Sequence, residues 1–431
     1  VRFMRMHIYF SGIGGTGIGP LAIIAQSAGL SVSGSDKQHS KYTDYLVQKG
    51  IDVHIGQEDD SYIQTLHVNK PIDWFVYSSA LPLEKPDHPE LHFVNSHGIK
   101  HSKRDEFLSF LLKKTGLKLI AFAGTHGKTS STAMAVWVAH QLKLPISYSV
   151  GAKLSFGDMG VYDKNSTYFL YECDEFDKNF LSYHPYLSVL TKVDWDHHEQ
   201  YPLRTDYIAA FQTFVTQSKT VFAHKQEIEY LSLADAYSVH AIDENYTTQI
   251  TLKGEHARRN AAGVVAAMQQ ISQASVEDII TAVNSFPGSN RRFEEIAPRI
   301  YSDYAHTPEE IAATLQLARE YGKKIVVAYE PLTNRRQHFM IQQYKDVFNN
   351  LEKLYWLPSY LAREDPHQRI IPPIEFVETL DSSANARAAT MNSTLKSNLL
   401  QAARNENTIV LLLAGGGGNS LDEWARTNLS V

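Results

Sequence analysis

The sequence predicts an α/β chain built from strand–glycine loop–helix units, and three observations support this. Strand-sized apolar runs alternate with helix-like segments along the chain. Three glycine clusters, Gly12 to Gly17, Gly124 to Gly127 and Gly415 to Gly418, each follow such a run. The length of 431 residues, at about 150 residues per domain, corresponds to about three domains.

In chain order, the first strand is His7-Ile-Tyr-Phe-Ser11. It leads into Gly12-Ile-Gly-Gly-Thr-Gly17 and a helix from Pro20 to Ala28. A second strand, Leu30 to Ser33, ends in Gly34-Ser35-Asp36. A third, Trp74 to Tyr77, is followed by Ser78-Ser79-Ala80, and a helix is expected from Arg104 to Leu112. Lys113 to Lys118 separates that helix from a new strand, Leu119 to Ala123. This strand opens onto Gly124-Thr-His-Gly-Lys-Thr129 and a helix from Ser130 to Leu142. A second break falls near Phe286-Pro-Gly288. Beyond it lie the strands Ile300 to Ser302, Ile325 to Tyr329, Leu354 to Leu357 and Ile409 to Ala414. The expected domains are therefore 1–114, 115–288 and 289–431.

Composition narrows the function classes. Hydrophobic residues at 43% and charged residues at 20% support packed cores over disorder. The formal net charge of −6, with no basic run, gives no footprint for nucleic acid. The apolar runs are strand-sized, well short of the roughly 20 residues a membrane span requires. Cys173 is the single cysteine, so there is no internal disulfide and no zinc-ligand pattern. A soluble cytoplasmic protein is expected.

Five motifs carry chemistry. Gly124-Thr125-His126-Gly127-Lys128-Thr129, between a strand and a helix, suits phosphate. Glycines let the backbone turn N–H groups inward, the helix N-terminus is partly positive, and the lysine adds a full charge. The first glycine of the usual eight-residue spacing is replaced by Phe122. Gly12-x-Gly14-x-x-Gly17, with Asp36 after a second strand, is a dinucleotide fingerprint whose physics suits any nucleotide diphosphate. Tyr171-Glu-Cys-Asp-Glu-Phe-Asp177, after a strand from Thr167 to Leu170, places four carboxylates where they must face water or a cation. Leu190-Thr-Lys-Val-Asp-Trp-Asp-His-His-Glu-Gln-Tyr201 sets His197 and His198 after another strand. Gly288-Ser-Asn-Arg-Arg-Phe-Glu294 and Ser302-Asp-Tyr-Ala-His-Thr-Pro-Glu309 add the pair Arg291 and Arg292, which can offset a triphosphate or an acyl phosphate. Each has an ordinary alternative: a tight turn, a solvated acidic loop, a structural histidine or a surface ion pair.

Taken together and in this order, the motifs resemble the Mur ligases of peptidoglycan synthesis over nearly the whole chain. Ser33-Gly-Ser-Asp36, Tyr77-Ser-Ser-Ala80, Gly98-Ile with Arg104, and Arg291-Arg-Phe-Glu add to the likeness. The likeness is strongest to the branch that acts on UDP-N-acetylmuramate, which contains an L-alanine-adding ligase and a tripeptide-adding recycling ligase. The resemblance implies three α/β domains: a Rossmann-like N-terminal domain for the UDP sugar, a central P-loop ATPase-type domain and a Rossmann-like C-terminal domain. It also implies an ATP-dependent amide synthesis in which the muramyl carboxylate is phosphorylated and the incoming amine displaces phosphate. It implies ATP and Mg²⁺ as cofactors, and UDP-N-acetylmuramate and an amino acid or short peptide as partners.

By that resemblance, Lys128 contacts the β- and γ-phosphates within a loop formed by Gly124, Thr125, His126, Gly127, Thr129 and Ser130. Thr129, Glu172 and His197 form the metal set. Asn260 lies near the adenine, Arg292 and Asp303 reach ATP, and His306 sits near the junction, with Lys128, His197, Arg292 and His306 as the catalytic group. Gly12, Gly14, Gly15, Thr16, Gly17, Asp36, Ser78 and Ser79 hold the UDP sugar.

Several positions depart from the family pattern. Ala257 stands where an asparagine is usual after His256, and Lys192 stands where an asparagine is common. Tyr329-Glu-Pro-Leu-Thr-Asn-Arg-Arg336 leans toward the tripeptide ligase, with Arg335 and Arg336 as candidates for the amine substrate's α-carboxylate. Trp356 to Pro366 leans toward the alanine ligase. An NAD-dependent oxidoreductase would leave Lys128, Thr129 and the acidic cluster without a role. A non-catalytic nucleotide-binding protein is the other alternative, motivated by Ala257 and Lys192.

Overall fold

Strand β1, His7–Ser11, is buried along its full length, as expected of a strand covered on both faces. The computed structural model describes residues 6–79, 81–82, 85–197, 200–361, 364–365 and 367–429. β1 pairs with β2 (Ser31–Asp36) and β4 (Trp74–Tyr77); β3 (Asp52–Ile55) and β5 (His101–Lys103) complete a parallel sheet of order β3-β2-β1-β4-β5. β2 runs to Asp36, past the expected end at Ser33, because Gly34 and Ser35 continue the ladder opposite Phe10 and Ser11. Strand order reverses between β1 and β4, which opens a crevice outside their carboxyl ends. The glycine loop 12–17 and Ser78-Ser79 leave from those two ends. The helix Arg104–Thr115 packs beneath, with Phe107 against Phe10 at 5.5 Å and Trp74 at 5.2 Å.

The second sheet contains β6 (Lys118–Ala123), β7 (Ser147–Ser149), β8 (Gly160–Val161), β9 (Tyr168–Cys173), β10 (Leu187–Leu190), β11 (Val221–Ala223) and β12 (Val239–Ala241). Its order is β12-β11-β10-β6-β9-β7-β8, parallel except for β8 against β7. β9 extends three residues beyond the expected Leu170, because Tyr171, Glu172 and Cys173 pair with Ala121, Phe122 and Ala123 of β6. Glu172 is thereby fixed on a strand, not in a loop. The three central strands β10, β6 and β9 are neighbours, so the segments after them converge: residues 191–197, the phosphate loop, and residues 174–182.

The third sheet is built from β13 (Glu294–Ala297), β14 (Ile300–Asp303), β15 (Lys324–Glu330), β16 (Lys353–Trp356), β17 (Ala386–Ala388) and β18 (Thr408–Ala414). The order is β13-β14-β18-β15-β16-β17, with only the β13–β14 hairpin antiparallel. Along β18, Ile409, Leu411 and Leu413 enter one apolar cluster, while Val410, Leu412 and Ala414 enter another. This is the alternation of a strand buried on both faces.

The chain divides into two compact units. One contains Val1–Ile250 and Arg259–Pro287, hence the first two sheets; the other contains Thr251–Arg258 and Gly288–Val431. In the first unit, apolar residues from both sheets join one core, including Ile8, Phe10, Leu119, Ala121, Phe169 and Leu190. Among the described residues, no helix is long and apolar enough to cross a membrane.

Candidate active site

At the first sheet's crevice, the loop is pinned to the end of β2. The N–H groups of Gly12 and Ile13 donate to Ser35 O at 2.8 and 2.9 Å. The Gly14 N–H donates to Asp36 Oδ2 at 2.8 Å, and Gln38 N–H to Asp36 Oδ1 at 3.2 Å. Asp36 thus shapes the loop through its carboxylate. Below it, buried Glu90 accepts from Tyr9 Oη, Ser11 Oγ and Ser35 Oγ, each at 2.6 Å, and from Gln57 Nε2 at 3.2 Å. Four donors satisfy a carboxylate that would otherwise be costly to bury. Gly15 and Thr16 are exposed at the loop tip. Ser79 is buried with its hydroxyl 3.5 Å from Asn179 Oδ1, and Ser78 is half-buried; Ala80 lies outside the described residues.

The phosphate loop is anchored to the neighbouring strand's exit. Thr125 and His126 N–H groups donate to Lys192 O at 2.8 and 3.1 Å. Thr125 Oγ1 donates to Asp194 O at 2.6 Å, accepts from the Asp194 N–H at 2.8 Å, and lies 2.6 Å from Tyr207 Oη. Gly127 is left-handed at φ 89°, and a Cβ on it would lie 2.5 Å from Asn260 Oδ1. The predicted adenine-side asparagine therefore abuts the loop. Helix Lys128–Gln141 starts here, earlier than the expected Ser130. Its first N–H groups, at Lys128, Thr129 and Ser130, precede the Ser131 N–H to Gly127 O bond at 2.9 Å.

Lys128 Nζ donates to Gly124 O at 2.6 Å and to Glu175 Oε2 at 2.7 Å. Burial works against its charge, but Glu175, Asp174 and Glu172 hold the ammonium above the ordinary lysine value. Burial pushes Glu175 up, yet Lys128 and His197 hold its carboxyl below the usual range. Glu172 is raised by burial despite a hydrogen bond with Thr129 and the charge of Lys128.

His197 adopts a left-handed backbone at φ 53°, a strained conformation for a non-glycine residue. Its Nε2 lies 3.5 Å from Glu175 Oε1. Asp174, Glu175 and His197 each offer a ligand atom, all within 4.8 Å of one another. The predicted ligands Thr129 and Glu172 are not among these three; Thr129 hydrogen-bonds Glu172, which burial and the charge of Asp174 push up. His198 lies outside the described residues. The Lys192 ammonium is matched by Asp194 at 3.3 Å and Glu227 at 3.9 Å, and Glu227 also binds Arg259 at 3.0 Å.

In the second unit, Asp303 accepts from Phe293 N–H at 2.7 Å, Ala305 N–H at 2.8 Å and Thr314 Oγ1 at 3.2 Å. Burial raises its carboxyl, with Arg292 and the two N–H donors opposing. Arg291 and Arg292 lie over the Tyr304 ring at 4.8 and 5.2 Å. His256 is lowered by burial, with Asp303 opposing. His306 Nδ1 lies 3.1 Å from Tyr304 O, and its Nε2 is 3.0 Å from Arg336 Nη1. A guanidinium only donates, so this bond makes Nε2 the acceptor and puts the ring proton on Nδ1. Arg336 thus joins His306 beside Gly415, whose added Cβ would approach His306 at 3.1 Å. Arg335 is exposed and its backbone N–H donates to Glu364. The two arginines that the sequence offered as equals are separated.

A family model described as Mur ligase family, catalytic domain, matches residues 7–115. A UDP-N-acetylmuramate–L-alanine ligase of Acetivibrio thermocellus is 29% identical over 409 residues, covering 85% of each chain. A ligase of the same name from Lactobacillus helveticus is 28% identical over 401 residues, covering 83% of this chain and 86% of that one. The chain is similar to these ligases over most of its length. The solved UDP-N-acetylmuramate-alanine ligase of Thermotoga maritima shares the fold at a TM-score of 0.76 and 22% identity, over 98% of both chains. A murein peptide ligase from Psychrobacter arcticus matches at 0.65 and 21% identity, again over 98% of both. These likenesses agree with the α/β Mur ligase architecture expected from the motif order.

The acidic run contains Asp174 and Glu175 beside Glu172, and only the structure brings the first two together with His197. Pairing cannot be read from a run of carboxylates, and the direction of each depends on where β9 ends. Tyr207, which braces Thr125, carries no sequence signal because it sits in the first turn of the helix Arg204–Gln217 at an ordinary apolar spacing.

Proposed function

We propose that this protein is a Mur ligase, an ATP-dependent amide ligase. It joins an amino acid, L-alanine by the names of its relatives, to the carboxylate of UDP-N-acetylmuramate through an acyl phosphate, in the cytoplasmic stage of peptidoglycan synthesis. The observation that carries the reading is the convergence of the phosphate loop and the acidic segment on adjacent strands, with Lys128 held by Glu175 at 2.7 Å. A carboxylate attacking a phosphate is a meeting of anions. Lys128 and the helix N-terminus offset that charge on the ATP side.

The donor set fits a divalent cation such as Mg²⁺. Glu172 Oε2 and Asp194 Oδ2 are buried without a hydrogen-bond partner among the described residues, and Asp174, Glu175 and His197 stand together. Oxygen-rich ligands suit this ion, which, when bound, neutralises charge between phosphate and carboxylate. Thr129 and Glu172 complete the proposed ligand set. On the amine side, Arg336 and His306 supply a donor fork and an oriented imidazole for an α-carboxylate.

The test is phosphate release with ATP, Mg²⁺ and UDP-N-acetylmuramate, adding L-alanine, L-serine, glycine or the tripeptide separately. L-Alanine should stimulate release. Stimulation by the tripeptide alone would make this a recycling ligase, and absence of release with all four would refute the ligase reading.

A further inference from the structure

Arg291 and Arg292 are neighbours in the sequence, but their guanidiniums have different surroundings. Both stand over the Tyr304 ring, at 4.8 and 5.2 Å. The Arg291 guanidinium is committed to the sheet: Nη2 donates to Ala414 O at the end of β18, and Nε lies 3.5 Å from Asp422 Oδ2. Among the described residues the Arg292 guanidinium makes no hydrogen bond; it has the Tyr304 ring and the charge of Asp303. One arginine is a tether, and the other keeps its donors for a ligand.

The turn that carries them is strained. Arg291 and Phe293 are left-handed, at φ 57° and 50°, an uncommon state for residues with a Cβ. Such strain persists only where the surroundings over-determine it. Three bonds to the backbone do so. Arg291 N–H donates to Glu294 Oε2 at 2.7 Å, Phe293 N–H to Asp303 Oδ2 at 2.7 Å, and Tyr304 N–H to Arg291 O at 2.8 Å.

The helix Leu421–Asn428 closes this arrangement into a ring. Arg426 binds both oxygens of Glu294, at 3.1 and 2.6 Å, and reaches Asp422 Oδ2 at 3.1 Å. Asp422 faces the Arg291 guanidinium, and Glu294 accepts from the Arg291 N–H. Burial pushes the Glu294 carboxyl up, but Arg426 and that N–H hold it below the ordinary value. The helix start is itself fixed. Ser302 Oγ of β14 donates to Asp422, and Leu421 N–H donates to Glu330 Oε2 at 3.0 Å. Two carboxylates and two guanidiniums make the ring neutral, so it needs no ligand to balance it. Arg292 stands outside it.

We propose that Arg291 and Asp422 are positioning residues for Arg292: the last helix braces the strained turn and so aims the Arg292 guanidinium at the ATP phosphates. This rests on the ligase reading, in which Arg292 meets ATP. Arg291 and Asp422 touch no reacting atom; both act through Arg292. A charge that must meet a developing anion is effective only when its place is fixed beforehand. The planar fork of Arg291 suits the tether, because it spans a carbonyl and a carboxylate at once, and a lysine ammonium does not reproduce that geometry.

The experiment is a double-mutant cycle on kcat and on the KM for ATP. It uses phosphate release by the full-length protein with ATP, Mg²⁺, UDP-N-acetylmuramate and the amine that supports turnover, with thermal midpoints recorded. Arg292→Lys should lower kcat by about 100-fold, the cost of a lost transition-state donor, and change the KM for ATP less. Arg291→Ala should lower kcat by about 10- to 100-fold, with Arg291→Lys between it and the wild type. In the Arg292→Lys background, Arg291→Ala should cost no more than about twofold further, because a brace has no effect without the group it aims. Asp422→Asn should behave like Arg291→Ala in both backgrounds; it carries the test if Arg291→Ala fails to fold. Losses that multiply across the cycle would make Arg291 a structural residue and overturn the proposal. Wild-type kcat in Arg291→Ala and Asp422→Asn would overturn it too. A wild type without turnover on any amine overturns the ligase reading itself, and an active wild type matched by Arg292→Lys removes Arg292 from ATP.

Discussion

Consider the pair Lys128–Glu175. Glu175 is 1% exposed and Lys128 15%, with 2.7 Å between the charges. Removing one partner of a buried pair strands the other, at a cost of about 3–5 kcal/mol. Each stranded group keeps some help. Lys128 retains Gly124 O at 2.6 Å, and Glu175 retains His197 at 3.5 Å. Both single variants, Lys128→Met and Glu175→Gln, should therefore fall at the lower end of that range, about 3 kcal/mol each. The double variant buries no unpaired charge from this couple. It should be no less stable than either single, giving a coupling energy of about 3 kcal/mol.

The assay is urea unfolding of the four proteins at neutral pH. The pH dependence has a definite sign. Glu175's folded carboxyl is held below the ordinary glutamate value of 4.5, so its stabilisation is present above that value and disappears as pH falls through the lower folded value. Glu175→Gln should lack that component of acid destabilisation. Coupling below about 0.5 kcal/mol would refute the reasoning, because independent sites add to within that margin.

Three other outcomes follow from particular residues. Burial pushes the Glu330 carboxyl from 4.5 to about 7, so the folded state holds its proton more tightly. The associated stability is full below the unfolded value and is lost as pH rises through the folded one. The shift corresponds to roughly 3 kcal/mol, and Glu330→Gln should flatten thermal melts between acid and mildly alkaline pH; an unchanged profile would contradict this. Arg336→Ala should raise the amine KM at least tenfold with little change in ATP KM, whereas Arg335→Ala should not; equal effects in steady-state kinetics would discard the distinction. Gly127→Ala places a side chain at φ 89° and 2.5 Å from Asn260, a left-handed position costing about 1–2 kcal/mol before the clash; ATP affinity measured by titration should fall at least tenfold, and wild-type affinity would argue against the loop geometry.

Much of this protein was legible in its residues. The runs His7–Ser11 and Trp74–Tyr77 are strands with the expected bounds, because continuous apolar stretches flanked by glycine or serine have few other places to go in a parallel sheet. The glycine loops announced their positions for the same reason. Strand ends were less legible: β2 and β9 run on through Asp36 and Cys173. Their last residues are polar, small or acidic, with little strand preference of their own. A neighbouring strand's backbone supplies the ladder that extends them.

The sequence by itself determined the α/β class, the order of the motifs and the likeness to the Mur ligases, because these depend on local periodicity and on residue types at fixed spacing. Only the tertiary structure decided which carboxylate serves Lys128, and that Arg336 and not Arg335 meets His306. Those choices are made between segments that lie 47 and 30 positions apart. A charge in a sequence carries no direction until a strand register and a helix start have fixed where it points.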